Sequence, residues 1–148
     1  MRVVLDTNVL IDACGDDLSV QARLIAAVVD GDLAAVVTRA MVSEYYTILA
    51  RFIDDPVYKD RIEDFLDAAR VVEPARVEVQ IDDSDDKKFI AAALGGQATH
   101  LVTSDRHLLD IGEVGEMRMV TPQEAWALWQ DEVDDAGQWR GWLAGLGL

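Results

Sequence analysis

The stretch Met1-Arg-Val-Val-Leu-Asp-Thr-Asn-Val-Leu-Ile-Asp12 is the part of the chain from which the fold is inferred. Its run Val3-Val4-Leu5 is short, β-branched and free of polar residues, which is typical of a strand buried on both faces of a parallel sheet. Ligands of open α/β sheets gather at the carboxyl ends of the strands, where Asp6 falls. Asp6 also belongs to the residue types that cap helices, so this stretch alone leaves a helix cap and a functional carboxylate both open.

The composition predicts a single acidic domain. The 148 residues include 13 basic and 28 acidic ones, which gives a net charge of −15. A chain with this charge does not bind nucleic acid through a simple basic patch, so a polyanionic substrate would need a bridging cation such as a bound metal. Cys14 is the only cysteine, which excludes an internal disulfide and fits a reducing cytoplasm. No window approaches the roughly 18 apolar residues of a membrane span, so we expect a cytoplasmic protein without membrane contact.

Apolar periodicity predicts strands that alternate with helices along the chain. Helix starts are indicated by Ser19, by Thr38 and by the capping box Thr121-Pro-Gln-Glu124. Strands are expected at the N-terminus and at residues 33–37, 71–72, 100–103 and 117–120. This alternation predicts a three-layer α/β/α fold around a central, mostly parallel sheet of four to five strands.

The C-terminal segment is expected to be a separate feature. Asp134-Asp-Ala-Gly137 predicts an interruption of the last helix, which divides the chain into a domain of residues 1–133 and an extension of residues 134–148. Val133 would face inward just before the interruption. Trp139 and Trp142 follow it, and we expect them either to pack on the domain or to lie at a partner or subunit interface.

Three further acidic residues stand where the pattern predicts a buried helix face or the edge of the sheet. Glu44 and Asp86 fall on apolar helical stripes, and Asp105 follows the predicted strand 100–103. Buried carboxylates are costly unless they are paired or bound to metal. With Asp6 they make four like charges at one sheet edge, which favours a divalent cation. Oxygen-only ligands favour magnesium or manganese over zinc.

Four motifs in this order resemble those of the PIN domain family. They are Val4-Leu-Asp-Thr-Asn-Val-Leu10, Ser43-Glu44, Asp83-Ser-Asp-Asp-Lys-Lys-Phe-Ile-Ala-Ala-Ala93 and Val102-Thr-Ser-Asp105. No motif is specific alone, but together the four are, and the resemblance spans about residues 2 to 124. The chain is most similar to the VapC-like toxin components of bacterial and archaeal toxin–antitoxin pairs.

The resemblance implies an activity, a cofactor and a partner. In that family the four acids bind magnesium or manganese and cut single-stranded RNA, which implies Asp6, Glu44, Asp86 and Asp105 here. For the third acid, Asp83 and Asp85 stay open as alternatives, although helical periodicity and the Phe-Ile-Ala continuation favour Asp86. The resemblance also implies a cognate antitoxin protein, and the Trp-containing tail leaves a homodimer open.

Polar and basic residues beside the motifs complete the predicted site. The residues expected to hold the carboxylates or to contact a phosphate are Thr7, Asn8, Thr103 and Ser104. The candidate phosphate contacts are Arg39, Lys87, Lys88 and Arg106. A solvated charge is the simpler interpretation for at least two of these four.

These residues predict a metal-dependent endoribonuclease in which a metal-activated water cuts single-stranded RNA. Two other functions stay open. An aspartyl-phosphate site of the phosphatase or receiver type usually needs a second aspartate two residues after Asp6, where this chain has Asn8, or a lysine at a strand end, which the predicted late strands lack. A non-catalytic PIN-like interaction module would keep the acids only as structural caps and would not bind manganese.

Overall fold

A computed structural model describes residues 1–78, 80–81 and 83–147, without the side chains of Ser84, Asp85 and residues 138–142. This part of the chain contains six strands and seven helices. The strands are β1 (Arg2–Leu5), β2 (Ala34–Val37), β3 (Arg70–Val71), β4 (His100–Val102), β5 (Glu113–Val114) and β6 (Met117–Val120). The helices are α1 (Thr7–Ala13), α2 (Val20–Val29), α3 (Arg39–Phe52), α4 (Pro56–Ala68), α5 (Ser84–Gly95), α6 (Arg106–Ile111) and α7 (Pro122–Gly145). They follow one another in the order β1-α1-α2-β2-α3-α4-β3-α5-β4-α6-β5-β6-α7.

The strands form one mostly parallel sheet in the order β3-β2-β1-β4-β6-β5. The first five strands of this order pair in parallel, and β5 runs antiparallel to β6. Leu5 of β1 lies opposite Val102 of β4, so the residues that follow these two central strands leave the sheet at the same edge. Val3, Val4 and Leu5 point alternately to the two faces and are at most 1% exposed. Both faces of the sheet are therefore covered, which confirms the predicted α/β fold.

The helix packing brings the acid-bearing segments together. α5 packs against β1, β2 and β4, whereas α7 packs against β4, β6 and α2. α3 contacts both α1 and α5, so the helix that carries Glu44 lies between the start of the chain and the helix that carries Asp86. Within the described residues, no helix combines the length and apolarity that crossing a membrane requires.

The predicted helix starts are confirmed. The hydroxyl groups of Ser19 and Thr38 each accept a hydrogen bond from the amide three residues later, at 3.1 and 3.3 Å. The capping box is reciprocal, since the Glu124 amide donates to Thr121 Oγ1 at 3.1 Å and the Thr121 amide donates to Glu124 Oε2 at 3.4 Å. Thr38 follows β2 directly, so its cap fixes where α3 begins and where Glu44 lies along that helix.

The predicted interruption of the last helix is wrong. α7 runs through Asp134 and Gly137 to Gly145 without a break. A glycine in an exposed helix costs only about 1 kcal/mol relative to alanine, which the neighbouring turns can absorb. Val133 is 37% exposed, contrary to its predicted inward orientation. The side chains of Trp139 and Trp142 lie outside the described residues, so their packing stays a prediction.

The sheet has one strand more than the largest number predicted. β5 pairs with β6 through a tight turn at Gly115, whose φ of +61° favours glycine. The two-residue strand β5 is too short to show a period in the sequence. β3 lies at Arg70–Val71, one residue earlier than the predicted position at residues 71–72.

Candidate active site

A cavity of about 640 Å³ opens at the edge of the sheet where β1 and β4 end. All four predicted acids line it, and each comes from a different segment. Asp6 follows β1, Glu44 lies in α3, Asp86 lies in the first turn of α5, and Asp105 follows β4. Asp83 also lines the cavity, whereas the side chain of the other alternative, Asp85, lies outside the described residues.

Thr103 joins the two strand-end aspartates. It is fully buried, its Oγ1 donates a hydrogen bond to Asp6 Oδ2 at 2.8 Å, and the same oxygen accepts one from the Asp105 amide at 2.9 Å. Asp6 stands at the N-cap position of α1 without a side-chain capping hydrogen bond of ordinary geometry, although the nearby amides of Asn8 and Thr7 stabilise its ionised form. Asp105, in contrast, caps α6 by accepting from the His107 amide at 2.9 Å.

Each oxygen of the Glu44 carboxylate has a protein partner. Thr7 Oγ1 donates a hydrogen bond to Glu44 Oε2 at 3.0 Å, so a predicted supporting residue contacts a predicted ligand. Lys88 Nζ lies 3.3 Å from the other carboxylate oxygen, Oε1. The side chains of Lys88 and Glu44 are only 25% and 21% exposed, so this ion pair is largely screened from water. Lys88 is thus engaged with a predicted metal ligand.

Burial and like charge together disfavour ionisation in the cavity. Asp86 is 7% exposed, and burial raises its pKa to about 6, with the charges of Asp105, Asp83 and Asp6 adding to the shift. The charge of His107 acts in the opposite direction. Such a shift is the expected result when several carboxylates share a site without enough positive charge.

The pKa of Asp6 is raised as well, but more groups act to lower it than in the case of Asp86. Burial raises its pKa, and the charge of Asp105 adds to that shift. The Thr103 hydroxyl and the backbone amides in the first turn of α1 stabilise the ionised form and partly offset the shift. The Asp6 carboxylate is therefore better solvated by protein dipoles than buried carboxylates without partners.

The donor set has the chemistry of a site for a hard divalent cation, because every candidate ligand is a carboxylate oxygen. A cation would also relieve the repulsion that raises the pKa of Asp86. In the present side-chain arrangement, no group of three or more His, Cys, Asp or Glu residues among those described could hold a metal ion. Protein donors occupy carboxylate oxygens of Asp6, Glu44 and Asp105 instead.

Comparison with known proteins identifies the family. Residues 2–107 match the PIN domain family. The chain belongs to that family. Its fold is similar to a chain in the crystal structure of VapBC2 from Rickettsia felis bound to a DNA fragment from their promoter. The TM-score is 0.58 at 12% sequence identity, with 82% of this chain and 98% of that chain covered. A comparison with curated proteins finds no match.

This PIN domain also has an apolar wall beside its acids, which the sequence interpretation missed. Ile11, Ile48, Phe52 and Phe89 line the same cavity. Phe52 is 62% exposed. The sequence did contain an indication of this wall. Ile48 and Phe52 lie four and eight residues after Glu44, so they are on the same face of α3 as that acid.

Tyr45 is a further supporting residue that the sequence interpretation did not single out. It is fully buried, and its hydroxyl donates a hydrogen bond to the carbonyl oxygen of Leu5. Burial raises the pKa of Tyr45 well above its ordinary value, and the charges of Asp6 and Glu44 add to this shift. The tyrosine therefore stays a neutral donor that ties α3 to the end of β1, directly before Asp6.

Of the remaining predicted residues, one lines the cavity and the others do not. Asn8 lines the cavity and is exposed. Ser104 is exposed and does not line the cavity, and the same holds for Arg39, Lys87 and Arg106. A role for these four in phosphate binding stays a prediction, and their side-chain exposure fits a solvated charge or hydroxyl equally well.

Proposed function

We propose that this PIN domain is a metal-dependent nuclease that cuts single-stranded RNA. The observation that carries the proposal is the convergence of four carboxylates from four chain segments on one cavity at the carboxyl edge of a parallel sheet. At the level of the family, PIN domains generally use divalent metal ions. The oxygen-only donor set favours magnesium or manganese for this chain.

The four proposed ligands differ in how directly they would bind the cation. Asp6, Asp86 and Asp105 would be the principal ligands, and Glu44 would bind directly or through a water. When bound, the cation supplies an acidified water and neutralises charge that develops on the scissile phosphate. Thr103 orients Asp6 through Oδ2, which leaves its other carboxylate oxygen free of this hydrogen bond.

The apolar wall supports a single-stranded substrate. Phe52 presents an exposed ring beside the acids, and the Arg51 guanidinium lies 5.8 Å from the centre of that ring. Exposed aromatic rings next to cationic groups stack unpaired bases, which a duplex keeps inside its helix. The net charge of −15 would otherwise repel RNA, so binding would depend on the cation.

We further propose that the chain is the toxin of a toxin–antitoxin pair with an antitoxin protein as its partner. The support is the likeness in fold to a chain of VapBC2, a complex that was crystallised with a DNA fragment from its promoter. Homodimer formation through the C-terminal segment stays a prediction of the sequence.

Asp6→Asn tests the proposed activity. The amide keeps the shape of the side chain but removes the ligand charge, so manganese-dependent cleavage of a labelled single-stranded RNA should fall at least about a hundredfold. Asp12→Asn is the matched control, because Asp12 is exposed on α1, does not line the cavity and should leave cleavage unchanged. Circular dichroism checks that both variants fold. Cleavage retained by the Asp6 variant would contradict the site, and a wild-type chain that neither binds manganese nor cuts RNA would favour an interaction module.

A further inference from the structure

The ion pair between Lys88 and Glu44 joins a cation on α5 to a proposed metal ligand on α3. Its partners are 3.3 Å apart, and both side chains are at least three-quarters buried. Thr7 donates to Oε2 of the same carboxylate and Lys88 lies against Oε1, so a metal ion that bound through Oε1 would approach the oxygen that the ammonium group already contacts. Neither metal binding by Glu44 nor phosphate binding by Lys88 would by itself require the ammonium group to lie against this oxygen.

We propose that Lys88 competes with the divalent cation for Glu44 and thereby sets the metal affinity of the site; this inference rests on the proposed metal-dependent function. The ammonium group neutralises Glu44 while no metal is bound. A cation that takes Oε1 must displace the ammonium group, because two positive centres on one carboxylate oxygen repel each other.

The competition accounts for the arrangement of the cavity. Asp86 and Asp6 lie in surroundings that disfavour further negative charge, and Lys88 removes one such charge by pairing with Glu44. A site whose affinity is lowered in this way fills most completely when substrate phosphate oxygens add to the ligands, which is the usual mode of magnesium binding.

Isothermal titration of the RNA-free protein with manganese chloride tests the inference. Lys88→Met should tighten manganese binding roughly fivefold, the equivalent of a partly buried ion pair at the upper end of the usual range. Lys87→Met is the matched control. It makes the same change in net charge one residue away, but Lys87 is exposed, whereas the Lys88 side chain is 25% exposed and lies against Glu44. Because an exposed charge is screened, this control should shift the affinity less than about twofold.

A double-mutant cycle with Glu44→Gln separates competition from a general charge effect. The gain from Lys88→Met should disappear in the Glu44→Gln background, because the oxygen for which lysine and metal compete is then uncharged. Thermal melting checks that each variant folds, and Lys88→Gln replaces the methionine variant if that one does not.

Three results would overturn the inference while leaving the proposed function intact. They are equal affinities of the two lysine variants, weaker binding by Lys88→Met, and a gain that persists unchanged in the Glu44→Gln background. Absence of manganese binding in the wild type and in every variant, together with absence of manganese-dependent RNA cleavage, would instead overturn the metal-dependent function, and this inference with it.

Discussion

The ionised form of Asp86 is destabilised in the folded protein. Its pKa is raised from 3.8 to about 6 by burial first and then by the neighbouring acids. The folded protein therefore binds a proton at this residue over a pH range in which the unfolded chain has already lost it. By linkage, the free energy of unfolding falls as pH rises from about 4 to 6, and the loss is complete above pH 6. Below pH 4 the cost is absent.

Asp86→Asn should stabilise the metal-free protein at pH 7 by about 1 kcal/mol, which is less than the full shift in pKa implies because the buried asparagine amide also loses its contacts with water. This gain in the free energy of unfolding should shrink toward zero as pH falls from 6 to 4. Guanidinium unfolding across this pH range, in the presence of a chelator, measures the effect. Asp12→Asn controls for the loss of one negative charge at an exposed position. An Asn variant with no advantage at pH 7 would contradict the proposed environment of Asp86.

The sequence indicated the acids that converge on the cavity and the threonines that contact them, Thr7 and Thr103, but not the ion pair between Lys88 and Glu44. Asp6 and Asp105 follow recognisable strands, and Glu44 and Asp86 interrupt apolar stripes, so their convergence follows from rules that act along the chain. The pairing of Lys88 with Glu44 depends on how α3 and α5 cross. That crossing is a tertiary property, which one sequence does not reveal.

At the scale of the element, the end of α5 shows a glycine used for close packing. A Cβ atom at Gly95 would lie 2.0 Å from the Glu73 carbonyl oxygen and 2.9 Å from the Ala75 amide nitrogen. The same approach allows the Ala75 amide to donate to the Ala91 carbonyl at 2.9 Å. Gly95 is the last residue of α5, so the segment that follows the helix end packs closely against it.

Gly95→Ala and Gly137→Ala should shift stability in opposite directions. At Gly95 the added methyl meets backbone atoms that cannot rotate away, so we expect a loss of about 1–3 kcal/mol. At Gly137 a Cβ meets nothing within 4 Å, so the alanine should gain about 0.5–1 kcal/mol from helix propensity. Urea unfolding measures both variants. No gain at Gly137 would indicate that α7 is interrupted there after all.

Local rules account for the elements that were predicted correctly. The caps at Ser19, Thr38 and Thr121 act within three residues, so the sequence alone determines them. The uninterrupted course of α7 and the short strand β5 depend on neighbouring segments. The break expected at Asp134–Gly137 was a reasonable inference from propensity, but propensity is a weak term once the preceding turns pack against the sheet.

At the scale of the whole molecule, the net charge of −15 makes the chain responsive to any cation. Sodium screens the repulsion between surface acids, and it should stabilise the protein through ionic strength alone. A specific divalent site adds a separate contribution, because a ligand that binds only the folded state stabilises it by mass action. The two effects can be separated at matched ionic strength.

Magnesium chloride should therefore raise the melting temperature more than sodium chloride of the same ionic strength. At a magnesium concentration about ten times the dissociation constant, the excess corresponds to about 1.4 kcal/mol. Asp6→Asn should lose this excess while it keeps the response to sodium, because the variant removes one proposed ligand and changes the net charge by only one unit. Asp12→Asn should keep both responses. If magnesium and sodium stabilise the wild type equally, the acidic cavity does not bind magnesium in the absence of substrate, and the carboxylates would have to acquire their cation together with the RNA phosphate.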